Sequence, residues 1–114
     1  MSTARRLLGI RGEEAAAAWY RARGYEILDR NWRCSDGEID LVLLSEPTLV
    51  VCEVKTRTTL LYGSPAEAVT AAKRARLRRL AARWLRDHDV HVTNVRFDVA
   101  AVLGEHVEVI AGAW

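Results

Sequence analysis

Apolar residues along this chain recur with two periods, and the switches between them lay out the elements. From Thr3 to Arg23 the spacing is helical. Gly9, Ala16, Ala17 and Tyr20 share one stripe, the Ala15–Ala18 run favours helix, Thr3 can cap the start, and Gly24 stands where a helix stops. Tyr25 to Asn31 then reads as a short strand, followed by the turn signal Asp36-Gly37. Gly37 to Leu44 and Leu49 to Arg57 read as strands joined tightly through Ser45-Glu46-Pro47-Thr48. Thr58 to Ser64 reads as a loop, and Pro65 opens a short helix through Val69. Thr70 caps a longer helix to about Asp87, in which Leu77, Leu80, Ala81 and Trp84 form the apolar face. Val92 to Val102 and Glu105 to Ile110 form a last strand pair turning at Gly104. The order α-β-β-β-α-β-β predicts an α/β fold, a mixed sheet with flanking helices.

Length and composition narrow the class. At 114 residues, half of them hydrophobic and 28% charged, the chain suits a single globular domain, 1–114, and not a disordered one. No apolar run approaches the roughly 20 residues that span a bilayer, and no signal-peptide core follows the basic start. The expectation is a cytoplasmic protein with no membrane partner. Cys34 and Cys52 make neither a CxxC pair nor a zinc spacing, so free thiols are expected. Net charge is only +2, but it is unevenly laid out. Ala71 to Arg86 carries seven basic residues and no acidic one, nearly all of them Arg, whose planar fork matches two phosphate oxygens. This stripe permits nucleic-acid binding and equally suits a solvated helix face.

The chemistry concentrates in Gly37-Glu38-Ile39-Asp40-Leu41-Val42 and Val51-Cys52-Glu53-Val54-Lys55-Thr56-Arg57. Alternate residues of a strand share a face, so Glu53 and Lys55 go together, as do Glu38 and Asp40. Folding the hairpin at Glu46-Pro47, with Leu44 opposite Leu49, sets Val42 against Val51, Asp40 against Glu53 and Glu38 against Lys55. Residues opposite across an antiparallel pair have Cβ atoms about 4.5–5.5 Å apart. Two carboxylates so placed among apolar neighbours destabilise the sheet unless a cation compensates. Carboxylate oxygens with water and substrate phosphate are the ligands Mg²⁺ prefers, and Lys55 beside them can act on an attacking water. The alternative is that Glu38 pairs with Lys55, Asp40 caps a bulge and Glu53 is solvated at an edge; a slip of one residue would also separate the acids.

Both helices offer further candidates. Glu13 lies on the small-residue stripe of the first helix, which points it inward; otherwise it is a first-turn charge on the helix dipole. Lys73 extends the apolar stripe of the long helix by one turn and either snorkels at the core edge or points into a cleft. Arg76, Arg79, Arg83 and Arg86 lie outside that stripe. His88, His91 and His106 lack metal-ligand spacing and read as solvated. Asp98 in Arg96-Phe97-Asp98-Val99 reads as structural, and Trp32 as a core or rim tryptophan, although a base could stack on it.

Taken in order, Gly9-x-x-Gly12-Glu13, Arg30-Asn31, Gly37-Glu38-Ile39-Asp40-Leu41, Glu53-Val54-Lys55-Thr56-Arg57, Gly63-x-Pro65-x-Glu67-Ala68-Val69, Lys73 and Arg96-Phe97-Asp98-Val99 resemble the YraN-like family of small bacterial proteins, over about Leu8 to Val102. That family resembles Holliday-junction resolvases and other PD-(D/E)xK endonucleases. The resemblance implies a restriction-endonuclease-like core in which Asp40 and Glu53 are metal ligands with the backbone carbonyl of Val54. It makes Lys55 the catalytic lysine and Glu13 the glutamate that resolvase-like members add from helix one. Ile39 stands where the signature proline would precede the first acid.

The function so implied is a Mg²⁺- or Mn²⁺-dependent endonuclease hydrolysing phosphodiester bonds on structured or branched DNA. Arg57, Lys73, Arg76 and Arg79 would contact nucleic acid, and a homodimer is expected by analogy. The competing expectation is a nucleic-acid-binding module with this fold and little catalytic activity. A structural or protein-interaction domain is the third. With little room for a separate specificity domain, recognition through backbone and DNA shape is expected.

Overall fold

The computed structural model describes residues 3–57 and 69–114. Seven elements follow one another: α1 (Thr3–Ala22), β1 (Glu26–Cys34), β2 (Gly37–Ser45), β3 (Thr48–Arg57), α2 (Ala71–Asp87), β4 (Asn94–Leu103) and β5 (His106–Ile110). This is the α-β-β-β-α-β-β mixed sheet that the patterning predicts. The expected loop from Thr58 to Ser64, and the short helix from Pro65 as far as residue 68, lie outside the described residues. None of the described helices is long and apolar enough to cross a membrane.

The five strands lie side by side in chain order. β1, β2 and β3 form antiparallel neighbours, β3 and β4 run parallel, and β5 returns antiparallel to β4. The parallel step requires a crossover, and α2 lies within it. Thr70 caps α2 as expected, its Oγ1 accepting from the Lys73 N–H at 3.2 Å. Gly104 turns β4 into β5 with φ of 60°, a conformation glycine adopts without the Cβ penalty.

The helices cover opposite faces. Leu77, Leu80, Ala81 and Trp84 of α2 pack with Ile39, Val42, Leu49, Val51, Phe97 and Val99. Ala16, Ala17 and Tyr20 of α1 pack with Leu41, Leu43, Val50, Cys52, Ala100 and Val102. β3 and β4 therefore bury side chains on both faces, which is why they read as nearly continuous apolar runs. Small residues let α1 lie close to the sheet. A methyl group at Gly12 would sit 2.0 Å from Thr56 Oγ1 and 3.1 Å from Thr56 Cβ.

One buried polar network ties the α1 face together. Asp98 is fully buried and accepts from Tyr20 Oη at 2.7 Å, from Arg96 Nε and Nη2 at 2.8 Å each, and from the Gly112 N–H at 3.0 Å. Arg96 also donates to Tyr25 Oη at 3.0 Å. The charge is thus fully paired, as burial demands, and Asp98 is structural as expected. His88 departs from the expected solvated role. It ends α2 stacked on Trp84 at 4.0 Å between ring centroids, and its Nδ1 lies 2.7 Å from the Trp84 carbonyl. Trp32 packs at the rim of the α2-side core.

The contact at Gly12 is testable. Gly12→Ala forces α1 away from β3 and is expected to cost about 1–3 kcal/mol of unfolding free energy. Urea titration measures the loss, and the Gly12→Ala/Thr56→Ala double variant should recover part of it.

Candidate functional site

The hairpin register follows the prediction as far as it goes, then stops. Leu44 pairs with Leu49, Leu43 with Val50, Val42 with Val51 and Leu41 with Cys52. The next pair in that register would be Asp40 with Glu53, and there the ladder ends. Beyond this point β2 stays with β1 as far as Cys34↔Gly37, and β3 stays with β4 as far as Arg57↔Leu103. The two central strands therefore part, and the carboxylates lie at the vertex instead of forming a cross-strand pair. The period of two is interrupted at the same place, because Ile39 packs on the α2 side while Leu41 packs on the α1 side.

Parting the strands removes the β2 partner of the Val54 N–H, a group that cannot go unpaired at low cost. Asp40 replaces that partner: its Oδ2 accepts from Val54 N at 2.8 Å. Asp40 is mostly enclosed, and among the described residues no ion pair balances it. Burial pushes its carboxyl up, and the Glu53 charge adds to this. The Val54 N–H opposes the rise, while Glu13 and Glu38 add to it, leaving the group at about 7.

Glu53 is 7% exposed. Its Oε1 lies 2.5 Å from Lys73 Nζ and 3.6 Å from Lys55 Nζ. Burial and the neighbouring Lys73 charge hold the Lys55 ammonium below its ordinary range, against the pull of Glu53. For Lys73, burial acts in the same direction but is outweighed by the hydrogen bond to Glu53 and the charge of Glu53, so it titrates above its ordinary range. The alternative pairing is overturned: Glu38 forms an ion pair with Arg33, its carboxylate 3.0 Å from Nε, Lys55 goes to Glu53, and Glu53 is buried instead of solvated.

A cleft of about 160 Å³ collects Glu38, Asp40, Glu53, Lys73 and Arg76 over the apolar floor of Leu77 and Leu80. A shallower groove, lined by Glu13, Asn31, Arg33, Glu38, Val54 and Lys55 among others, adjoins it through Glu38. Glu13 is half-buried in the middle of α1, too far along for a first-turn dipole role, and accepts from Asn31 Nδ2 at 2.9 Å. Glu14 lies off the stripe and pairs with Arg30 at the surface. A larger apolar groove of about 850 Å³ runs between α1 and the β4–β5 turn. The converging charges are absent from it, so the smaller cleft is the candidate site.

The basic candidates divide. Lys73 and Arg76 line the cleft. Arg76, Arg79, Arg83 and Arg86 stand at i, i+3, i+7 and i+10, which puts them along one flank of α2. Arg83 Nη1 on that flank donates to Ser35 Oγ at 3.1 Å and lies 3.3 Å from Asp36 Oδ2. Arg57 closes β3 opposite Leu103, a pleat beyond Lys55. Sequence reasoning missed the Lys73–Glu53 pair. A usable signal was present: of 17 basic residues only Lys55 and Lys73 are lysine, and both reach the same oxygen.

The donor set admits a divalent cation. Among the described residues, no three His, Cys, Asp or Glu side chains converge as a ready-made cage. Two hard carboxylates are nevertheless enough for Mg²⁺ or Mn²⁺, which keep several waters. Val54 can add a third oxygen. In an extended strand the N–H and C=O of one residue leave by the same edge, which here is the edge that β2 has vacated.

Fold and cleft define an α/β protein with helices on both faces of a mixed sheet and a charged cleft where two strands part. The chain belongs to the family described as uncharacterised protein family UPF0102, whose model matches residues 12–102. This bears out the YraN-like resemblance. It is similar to a UPF0102 protein of Beutenbergia cavernae, 58% identical over 96 residues that cover 84% of this chain and 81% of that one. A UPF0102 protein of Arthrobacter sp. is 56% identical over 102 residues, covering 90% and 86%. One from Frankia casuarinae is 58% identical over 95 residues, covering 83% and 80%.

The raised carboxyl of Asp40 gives a pH dependence with a definite sign. Between its ordinary 3.8 and about 7 the folded protein keeps a proton that the unfolded chain has lost. The stability tied to Asp40 is therefore full below pH 3.8 and is lost as pH rises through about 7. In the presence of chelator, Asp40→Asn keeps an acceptor for the Val54 N–H and removes this loss. Its stability relative to wild type should rise with pH across that window, by on the order of 1.4 kcal/mol per unit of displacement. Urea titrations at a series of pH values check this.

Proposed function

We propose that the protein is a metal-dependent endonuclease that hydrolyses phosphodiester bonds, acting on structured or branched DNA. The observation that carries the reading is the enclosed Asp40–Glu53 pair at the parting of β2 and β3, with Lys55 beside Glu53. This spends sheet hydrogen bonding and buries like charges for no structural gain, a pattern found where a site is built for chemistry. The fold order and the ordered motifs support it through their likeness to resolvases and other PD-(D/E)xK nucleases, an argument by analogy.

In this reading Asp40, Glu53 and the Val54 carbonyl would hold Mg²⁺ or Mn²⁺, which would supply Lewis-acid polarisation of the phosphoryl group and acidify the attacking water. The residues of the chain do the rest. Lys55, its ammonium weakened by burial, gives up its proton to solvent and, as the neutral amine, orients the attacking water and takes a proton from it as the water oxygen bonds to phosphorus. The opposite P–O bond breaks in line, and solvent protonates the departing oxygen. Glu13, reaching the groove from α1 and held by Asn31, adds negative potential beside Asp40. Arg76, Arg79, Arg83 and Arg86 form a track for phosphates that starts at the cleft, with Arg57 as a further contact. A homodimer would let two such sites act on the two strands of a junction.

The Arg flank equally favours a second reading, a nucleic-acid-binding module with little turnover. One experiment separates the two: incubation of supercoiled and four-way-junction DNA with the protein and Mg²⁺ or Mn²⁺. Wild type should cleave, and Asp40→Ala and Glu53→Ala should fall to background. Lys55→Ala should lose about 10²–10⁴-fold in rate without rescue by Lys55→Arg. Cleavage that persists in both carboxylate variants would sink the nuclease reading. Salt-dependent binding without cleavage by wild type would favour the binding module.

A further inference from the structure

We propose that Lys73 is a displaceable counter-ion of the candidate metal site: its ammonium holds the Glu53 oxygen in the metal-free protein, yields it to the incoming divalent cation, and then stands free at the cleft to take a phosphoryl oxygen. The inference rests on the reading of Asp40 and Glu53 as cation ligands and adds to it the identity of the group that competes for the site.

Four observations carry it. First, the two carboxylates are treated unequally. Glu53 Oε1 has Lys73 at 2.5 Å and Lys55 at 3.6 Å, whereas Asp40 has only the Val54 N–H and no ion pair among the described residues. A cation entering between them meets one carboxylate that lacks a counter-charge and one that is already matched.

Second, the choice of lysine is selective. The chain uses Arg at every basic position except Lys55 and Lys73. Guanidinium is broad, planar and fixed in charge, whereas an ammonium is a compact point charge on a flexible stem. Within a cleft of about 160 Å³, the compact ion can occupy a position comparable to that of a metal and leave it again.

Third, Lys73 is not in α2 for the sake of the helix. It stands in the first turn, where a positive charge opposes the helix dipole, and that turn holds no acidic residue. The cap bond from Thr70 is to its backbone N–H and does not involve its side chain. Fourth, the Lys73 side chain is one-third exposed at 33%, against 9% for Glu53, so it has a route outward that Glu53 lacks. Arg76, one turn on, lines the same cleft, and the released ammonium would join it as the first phosphate contact of the Arg flank.

The test reads metal affinity directly, with no need for turnover. Mn²⁺ alone is titrated into chelator-treated wild type, Lys73→Met, Lys73→Gln, Lys73→Arg, Asp40→Asn and Glu53→Gln, with free Mn²⁺ followed by electron paramagnetic resonance. Met and Gln keep the stem and the helix propensity of lysine but remove its charge. The displacement account expects both to bind Mn²⁺ more tightly than wild type, by about tenfold for loss of a partly buried competing ion pair. Lys73→Arg, which keeps the charge, should not tighten binding, and Asp40→Asn and Glu53→Gln should lose it. The same neutral variants should bind duplex DNA more weakly in the presence of Ca²⁺, so the two affinities move in opposite directions. If Lys73→Met and Lys73→Gln bind Mn²⁺ as wild type does, or more weakly, while the carboxylate variants lose binding, the counter-ion role is overturned and the carboxylate site stands. If wild type does not bind Mn²⁺, or binds it undiminished in Asp40→Asn and Glu53→Gln, the metal reading falls and this inference falls with it.

Discussion

The site depends on one substitution of partners: the Val54 N–H, instead of bonding to a carbonyl of β2, bonds to the side chain of Asp40. A carboxylate that accepts a backbone N–H in place of a ladder carbonyl lets two strands separate without orphaning the donor. It also fixes the carboxylate at the point of separation. β1 continues to hold β2, and β4 continues to hold β3, so the sheet stays intact on both sides of the gap. Flanking helices then close the gap differently: α2 brings Lys73 and Arg76 to one side, and α1 brings Glu13 to the other.

The energetic conflict at this vertex is confined by its surroundings. Asp40 and Glu53 are like charges in a poorly solvated place, which raises the carboxyl of Asp40 and calls two lysines onto Glu53. The neighbourhood is apolar and tightly packed, with Leu41, Val51, Cys52 and Leu77 buried around it. Asp98, the other buried charge among the described residues, is resolved fully, with four donors satisfying its carboxylate. The contrast between the closed network at Asp98 and the underpaired carboxylate at Asp40 separates a charge that holds the fold from one that is available to a ligand.

Much of this was legible in the sequence, and for local reasons. The hairpin register follows from a short turn and strand periodicity, and it held from Leu44↔Leu49 to Leu41↔Cys52. Helical spacing set Glu13 on the stripe that faces the sheet and left Lys73 either the core edge or a cleft, of which the structure shows the cleft. Other features were illegible because they depend on packing between distant segments. Periodicity cannot tell where two strands stop pairing, since β2 and β3 each remain extended with their outer neighbours. The face change at Asp40 is invisible for the same reason. Lys73 meets Glu53 only because the crossover returns α2 over the gap.

The central claim is that the parted strands exist to hold a divalent cation on Asp40 and Glu53. The most direct measurement is a crystal structure of the protein soaked in Mn²⁺, with diffraction data collected for the anomalous signal of manganese. The account predicts an anomalous peak in the cleft beside the Asp40 and Glu53 carboxylates. A well-ordered cleft that carries no such peak, with Lys73 still on Glu53 at saturating Mn²⁺, would contradict it.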